Sequence, residues 1–146
     1  MKVNIDFEGV NRQLIVRDDA TVLDLKMKVQ ETFGFLATNQ KLFINGSAMV
    51  DDYSKLVSYG MVDGANISFR FKILIQGQPN QFGNSKEYEL FVDGSNTVLN
   101  LKQMLNSEYG IDIRTIKFKM DNNDNLDDNT KIWNYNIKPG SYLHMI

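Results

Sequence analysis

The chain contains 146 residues, with 42% hydrophobic and 23% charged side chains, a formal net charge of −2 and no cysteine. This balance argues against a disordered or membrane-spanning chain, and the missing cysteine excludes disulfides, thiolate metal sites and thiol nucleophiles. Because the net charge is small and no Lys/Arg block exists, nothing indicates binding to nucleic acid or to a membrane surface. We therefore expect a cytoplasmic monomer.

The chain begins with a pattern typical of two strands joined by a turn. Apolar and polar residues alternate over residues 2–7, which predicts a strand with one buried face. Residues 9–11 are expected to form the turn. Leu14 and Val16 resume the alternation and predict the returning strand.

A helix is predicted after this hairpin. Thr21 can cap its first turn, with Asp24 three residues later completing a short capping box. Gly34 can end the helix in a left-handed conformation. The apolar stripe consists of Val22, Leu25 and Val29.

Two further strands complete this first half of the chain. Residues 41–44 predict a strand that turns at Asn45 and Gly46, a pair typical of tight hairpins. Residues 66–71 predict the last strand, again from alternating apolar side chains.

The second half of the chain repeats the first. Residues 21–35, TVLDLKMKVQETFGF, return at 97–111 as TVLNLKQMLNSEYGI, and the match continues to the end of the chain. The first strand returns at residues 72–75, so the loop at 77–85 is longer than its counterpart. We predict two domains, residues 1–71 and 72–146. Each is expected to be α+β, a mixed sheet of four to five strands with one helix across it.

Each copy resembles ubiquitin. The resemblance rests on the ordered spacing of a Thr-capped helix, a lysine after its second core residue, a glycine stop and a tyrosine before the last strand. These residues are Thr21, Lys26, Gly34 and Tyr59 in the first copy and Thr97, Lys102, Gly110 and Tyr135 in the second. The resemblance implies the β-grasp fold, and the tandem arrangement resembles the interferon-induced two-domain ubiquitin-like modifier.

The resemblance also implies a function without catalysis. It implies protein partners, such as ubiquitin-type conjugation or deconjugation machinery. Conjugated members of the family end in a flexible tail that closes with Gly-Gly, whereas this sequence ends at Leu143-His144-Met145-Ile146. We therefore expect a protein that acts by binding other proteins. Two alternatives stay open: a covalent modifier whose tail is absent from this sequence, and a regulatory region excised from a larger enzyme.

Neither copy keeps the main recognition patch of the family intact. Its three apolar positions correspond to Phe7 or Glu8, Phe43 and Arg70 in the first copy, and to the loop with Phe82, Lys119 and Ile146 in the second. Phe43 is either an aromatic anchor for a partner or a packed or isolated surface residue, and Lys119 is expected to be solvated. The predicted partner-binding residues are Phe43, Ser68, Arg70, Lys119, His144 and Ile146.

No catalytic residue, metal site or cofactor is predicted. His144 is the only histidine and is expected on a strand face at the surface, which does not suggest a general base. The acidic loop at 121–128 begins like a calcium-binding EF-hand loop. Leu126 and Ile132, however, occupy the positions that require glycine and a bidentate glutamate.

The junction between the copies lacks a flexible linker. Phe69, Phe71 and Ile73 continue one alternating apolar face through the boundary, with Lys72 on the other face. A flexible linker would be rich in Gly and Ser, so we expect a short, stiff connection near residues 71–72.

This stiffness can be measured by nitrogen-15 relaxation on the full chain. A restricted connection gives both halves the same rotational correlation time, because neither can reorient alone. Two different correlation times, each matching the size of one half, would contradict the prediction.

Overall fold

The structure, a computed structural model, describes residues 1–121, 123 and 125–146. It divides the chain into two compact units, Met1–Arg70 and Phe71–Ile146. Each unit contains a mixed sheet and one α-helix, so the predicted α+β class and β-grasp fold are confirmed. None of the described helices is both long and apolar enough to cross a membrane.

The first unit is built on five strands. Strand β1 pairs with β2 in antiparallel and with β5 in parallel orientation, and the strand order is β2-β1-β5-β3-β4. The elements are β1 (Lys2–Phe7), β2 (Val10–Ile15), α1 (Val22–Phe33), β3 (Gln40–Ile44), β4 (Ser47–Ala48) and the first part of β5 (Ala65–Gln76).

Among the residues that the structure describes, the second unit repeats this plan with four strands. The last part of β5 pairs with β6 in antiparallel and with β8 in parallel orientation, and β8 pairs with β7 in antiparallel orientation. The remaining elements are β6 (Glu87–Val92), α2 (Val98–Tyr109), β7 (Phe118–Lys119) and β8 (Tyr142–Met145).

The helices begin and end where the sequence predicts. The Thr21 hydroxyl accepts a hydrogen bond from the Asp24 amide at 3.1 Å, and the Asp24 carboxylate accepts one from the Thr21 amide at 2.9 Å. Thr97 and Asn100 make the same reciprocal pair in α2. Gly34 adopts the predicted left-handed conformation with φ 82°. These caps satisfy amide groups that a free helix end would leave unpaired.

A lysine, buried in α2 and half-buried in α1, ties each helix to a following loop. The Lys102 ammonium lies 2.6 Å from the Asp128 carboxylate, and Lys102 is only 7% exposed. The Lys26 ammonium lies 2.8 Å from Asp52 at the equivalent place. Because a buried charge needs a partner, these pairs fix the position of the loop after the short strand of each sheet.

Two sequence-based boundaries were wrong. The first turn lies at Glu8 and Gly9, with φ of 52° and 79°, and not at residues 9–11. Consecutive residues with positive φ form the tight hairpin turn that matches strand twist, and this lets β2 begin at Val10. The last strand of the first copy does not stop at residue 71, because the alternating burial continues unbroken to Gln76.

The junction residues lie in the cores of the units to which they belong. Phe69, in the first unit, is 5% exposed, and Phe71 and Ile73, in the second, are 1% and 0% exposed. Lys72 is half-buried, and its ammonium lies 3.7 Å from the Glu89 carboxylate. The boundary at 71–72 and the stiffness of the connection stay predictions.

Part of the acidic loop at 121–128 lies outside the described residues, namely Asn122 and Asp124. Within the part of the chain that the structure describes, no three His, Cys, Asp or Glu side chains form a group that could hold a metal ion. The structure therefore does not test the likeness of this loop to an EF-hand loop.

The two capping boxes predict different responses to acid. Hydrogen bonds from the Thr21 amide and hydroxyl hold the pKa of Asp24 below its ordinary value of 3.8, whereas Asn100 does not titrate. A lowered folded pKa means that the carboxylate stabilises the first unit above pH 3.8 and that this contribution is lost as pH falls through the folded pKa. Replacing Asp24→Asn should remove this acid-sensitive part while keeping an acceptor for the Thr21 amide.

The measurement is chemical unfolding of wild type and Asp24→Asn between neutral pH and pH 2.5. The stability difference should be a few tenths of a kcal/mol at neutral pH, about the size of a charge at a helix start, and should diminish below pH 3.8. A difference that stays constant over this range would contradict the assignment.

Candidate partner-binding faces

The first candidate face lies on the outer side of neighbouring strands in the first unit. In β3, Leu42 and Ile44 are buried while Phe43 between them is half-exposed. In β5, Ser68 and Arg70 are exposed on either side of buried Phe69. Because β3 and β5 are neighbours in the sheet and side chains alternate between faces, the three predicted residues Phe43, Ser68 and Arg70 share one face.

Phe43 is the centre of this face. The Arg70 guanidinium carbon lies 5.0 Å from the centroid of the Phe43 ring, and the Lys41 ammonium lies 6.0 Å from it. Both distances are within the range of cation–π attraction. Phe43 is therefore not an isolated surface residue, since two basic side chains are held beside its ring.

A tight turn presents Phe43 on a short hairpin. Asn45 and Gly46 have φ of 49° and 79°, and Phe43 is paired across the hairpin with Ala48. This is the turn that the Asn-Gly pair predicts. Phe43 is half-exposed at this place.

The second candidate face lies in the second unit and brings its three predicted residues together. Lys119 of β7 and His144 of β8 are register partners, and both are exposed. Ile146 follows β8 and is 45% exposed, and its amide donates a hydrogen bond of 2.9 Å to the Lys117 carbonyl. All three line an open cavity of about 500 Å³, together with Gln76, Gly77, Pro79, Asp121 and Met145.

The chemistry of the two faces differs. The first face offers an aromatic ring edged by cations. The second face has an ammonium where the first has a ring, because Lys119 corresponds to Phe43. The His144 ring of this face stacks on that of Tyr142, with 6.1 Å between the ring centroids. The two faces therefore present different groups to solvent.

The sequence analysis missed an aromatic cluster in the first unit. The Phe7 ring lies 5.7 Å from Phe33, 4.7 Å from Phe35 and 5.6 Å from Phe69 between ring centroids. The Arg12 guanidinium lies 5.9 Å from the Phe33 centroid. The signal was present, since Phe33 and Phe35 flank the glycine that ends α1, but only the tertiary structure brings both beside the end of β1.

Curated relatives of this chain are long proteins. It is 23% identical over 128 residues to phosphatidylinositol 4-kinase gamma 4 of Oryza sativa, a match that covers 86% of this chain and 23% of the relative. It is 27% identical over 94 residues to phosphatidylinositol 4-kinase gamma 3 of Arabidopsis thaliana, covering 64% of this chain and 16% of the relative. The chain thus spans less than a quarter of the length of these relatives.

Solved structures similar to this chain include that of ATBAG1 in complex with HSP70. That match has 20% identity and a TM-score of 0.45, and it covers 47% of this chain and 38% of the other. The ubiquitin-like domain of an Arabidopsis thaliana protein, solved by NMR, matches with 24% identity and a TM-score of 0.47 and covers 49% and 76% of the two chains.

The sequence family that matches is described as the ubiquitin family. Its model matches residues 3–72 and a second time residues 80–146. The two stretches together cover nearly the whole chain, and each contains one complete helix with its cap. The chain therefore belongs to the ubiquitin family.

Proposed function

We propose that this chain is a non-enzymatic, tandem ubiquitin-like protein that acts by binding other proteins. The observation that carries the proposal is the half-exposed Phe43 ring with the Arg70 and Lys41 cations beside it. Aromatic and arginine side chains are the groups that most often dominate the binding energy of an interface. Residues of this kind on the flat outer side of a sheet favour contact with a protein surface.

The chemistry of this face indicates what the partner presents. A ring edged by two cations is complementary to an apolar group flanked by carboxylates, since opposite potentials steer association and fix orientation. The family patch is apolar at all three positions, whereas Arg70 places a charge at one of them here, beside the polar Ser68. Proteins that grip the apolar patch of ubiquitin should therefore bind this unit less tightly than they bind ubiquitin.

The second unit supplies a different surface. Lys119 and His144 are polar and exposed, and Ile146 is the one apolar member of the predicted set in this unit. We therefore infer that the two units do not bind two copies of one partner through equivalent faces. We also infer a cytoplasmic, monomeric protein, which the cysteine-free sequence and its mixed charges support.

A second candidate function is that of a ubiquitin-like region within a larger enzyme. The observation that favours it is the match to two phosphatidylinositol 4-kinases of which this chain covers 23% and 16%. In that case the chain would serve as the protein-binding part of a longer polypeptide. The covalent-modifier alternative requires a tail closing in Gly-Gly after Ile146.

The binding face can be tested by quantitative pull-down with the full chain. Phe43→Ala should reduce capture of the partners of the first unit by about tenfold, because truncating a central aromatic anchor removes most of its binding energy. Tyr53→Ala is the matched control, since Tyr53 is an aromatic residue 81% exposed on a loop of the same unit. Circular dichroism should show that both variants stay folded.

Lys119→Ala probes the second face. Partners of the first unit should be captured as by wild type, while partners held by the second unit should weaken by about threefold, the scale of one exposed ion pair. If Phe43→Ala and Lys119→Ala both capture the same proteins as wild type, the working faces have been misplaced.

The three functional alternatives predict native polypeptides that differ in size and in C-terminal sequence. An antibody raised against the chain should detect a band near its own 16.8 kDa if it is an independent binding protein. A much larger band would support the enzyme region, and a ladder of conjugates that is lost when the native C-terminal glycines are removed would support the modifier. Mass spectrometry of the endogenous C terminus completes the comparison.

A further inference from the structure

A second cavity lies beside the long first loop of the second unit. Its volume is about 540 Å³, and residues 77–86 form one side of it while residues 111–116 form another. The apolar part of its lining consists of Tyr88, Ile111, Ile116 and Met145. It is a separate space from the cavity beside Lys119, although both touch Gly77 and Met145.

The first unit shows what fills the equivalent space in this fold. The repeat matches Phe7 with Gly77, Phe35 with Ile111 and Phe69 with Met145. The ring of Phe7 lies 4.7 Å from that of Phe35 and 5.6 Å from that of Phe69. The first copy therefore covers this apolar surface with the Phe7 ring, whereas the second copy has glycine, and so no side chain, at the equivalent position.

The second unit has little room for a side chain at position 77 itself. A Cβ atom on Gly77 would lie 3.2 Å from the Lys86 carbonyl oxygen and 3.3 Å from Cε2 of Tyr88. The Tyr88 ring is held by an edge contact with Tyr109 at 4.9 Å between centroids, and the Tyr109 hydroxyl donates a 2.8 Å hydrogen bond to the Glu89 carbonyl. A ring at position 77 would need these neighbours to shift, so the space is left open to a ring from another molecule.

The charge at the rim indicates what accompanies that ring. Asp112 lines the cavity, but the Arg114 guanidinium contacts it at 3.0 Å and 2.7 Å, and this contact holds the pKa of the carboxyl below its ordinary value. Lys86 also lines the cavity and is exposed, and within residues 1–121, 123 and 125–146 no carboxylate pairs with it. The rim thus carries one uncompensated positive charge.

We propose that this cavity binds an aromatic side chain from an acidic peptide segment of a partner protein. The ring lies against Met145 and Ile111 as Phe7 lies against Phe69 and Phe35, and a neighbouring carboxylate pairs with Lys86. Thioether contact with an aromatic ring is favourable and tolerant of ring position. The inference rests on the proposed protein-binding function but uses none of the six residues of the two faces above.

The test is an NMR titration of the full chain with short capped peptides. The peptide Asp-Phe-Asp should shift the Met145 methyl, Ile111 methyl and Gly77 amide resonances saturably, with a dissociation constant on the order of millimolar for so small a ligand. The peptides Asp-Ala-Asp and Lys-Phe-Lys are controls for the ring and for the charge. Both should bind at least about fivefold more weakly.

A matched pair of variants tests the rim. Lys86→Glu should weaken Asp-Phe-Asp about fivefold, because it replaces an attraction with a repulsion of similar size. Lys138→Glu changes the net charge equally at an exposed lysine that does not line the cavity, and it should bind the peptide as wild type does. Both lysines are exposed, so neither variant should disturb the fold.

Two results would overturn the assignment. One is the absence of saturable shifts at Met145 and Ile111, or equal binding of the peptide that lacks the ring. The other is a shift of the same resonances with protein concentration alone that Phe82→Ala abolishes, which would make a second copy the occupant, since Phe82 is 77% exposed on the same loop. If Phe43→Ala loses partners while the peptide fails to bind, only this inference fails and the proposed function stands.

Discussion

The structure of each unit depends on packing a narrow apolar helix stripe onto a sheet whose central strand is buried on its inner face. The stripe of α1 is Val22, Leu25 and Val29, all 0% exposed, and the equivalent residues of α2 are Val98, Leu101 and Leu105. A domain of this size has a small core, because it buries only roughly 60% of the surface that its unfolded chain exposes. The helix stripe therefore stays apolar in both copies, whereas outward positions such as Phe43 and Lys119 differ in chemical type.

This constraint explains why the two faces differ while the scaffolds agree. Phe43 and Lys119 occupy equivalent outward positions beside a buried neighbour in the same short strand, Leu42 in one unit and Phe118 in the other. A change from ring to ammonium there leaves the core untouched. A binding face on the outer side of a sheet can thus change its chemistry at small cost in stability, whereas the helix stripe cannot.

The rim of each sheet is the place where this separation of core and surface breaks down. Phe7, half-buried, closes one end of the first unit with its aromatic neighbours. In the second unit Gly77 and a longer loop replace it, and an open cavity results. Removing a side chain at the edge of a core leaves apolar atoms without contacts, and such a site gains stability from any ligand that restores them. Duplication therefore supplied both a filled and an open version of the same edge.

The sequence alone determined the fold, because period-2 and helical patterns, capping residues and the repeat all depend on local chemistry. Thr21, Gly34 and the Asn45-Gly46 turn act within a few residues of themselves, and the structure confirms them. The same patterns placed Phe43, Ser68 and Arg70 on the outer side of the sheet, but not the Arg70 cation at the Phe43 ring, since that contact joins strands far apart in the chain. The aromatic cluster and the cavity at Gly77 were also decided by tertiary structure. Both lie where the end of β1, or of its counterpart, contacts the chain just beyond the helix and the end of the last strand. No local sequence pattern encodes whether the space at this contact is filled or empty.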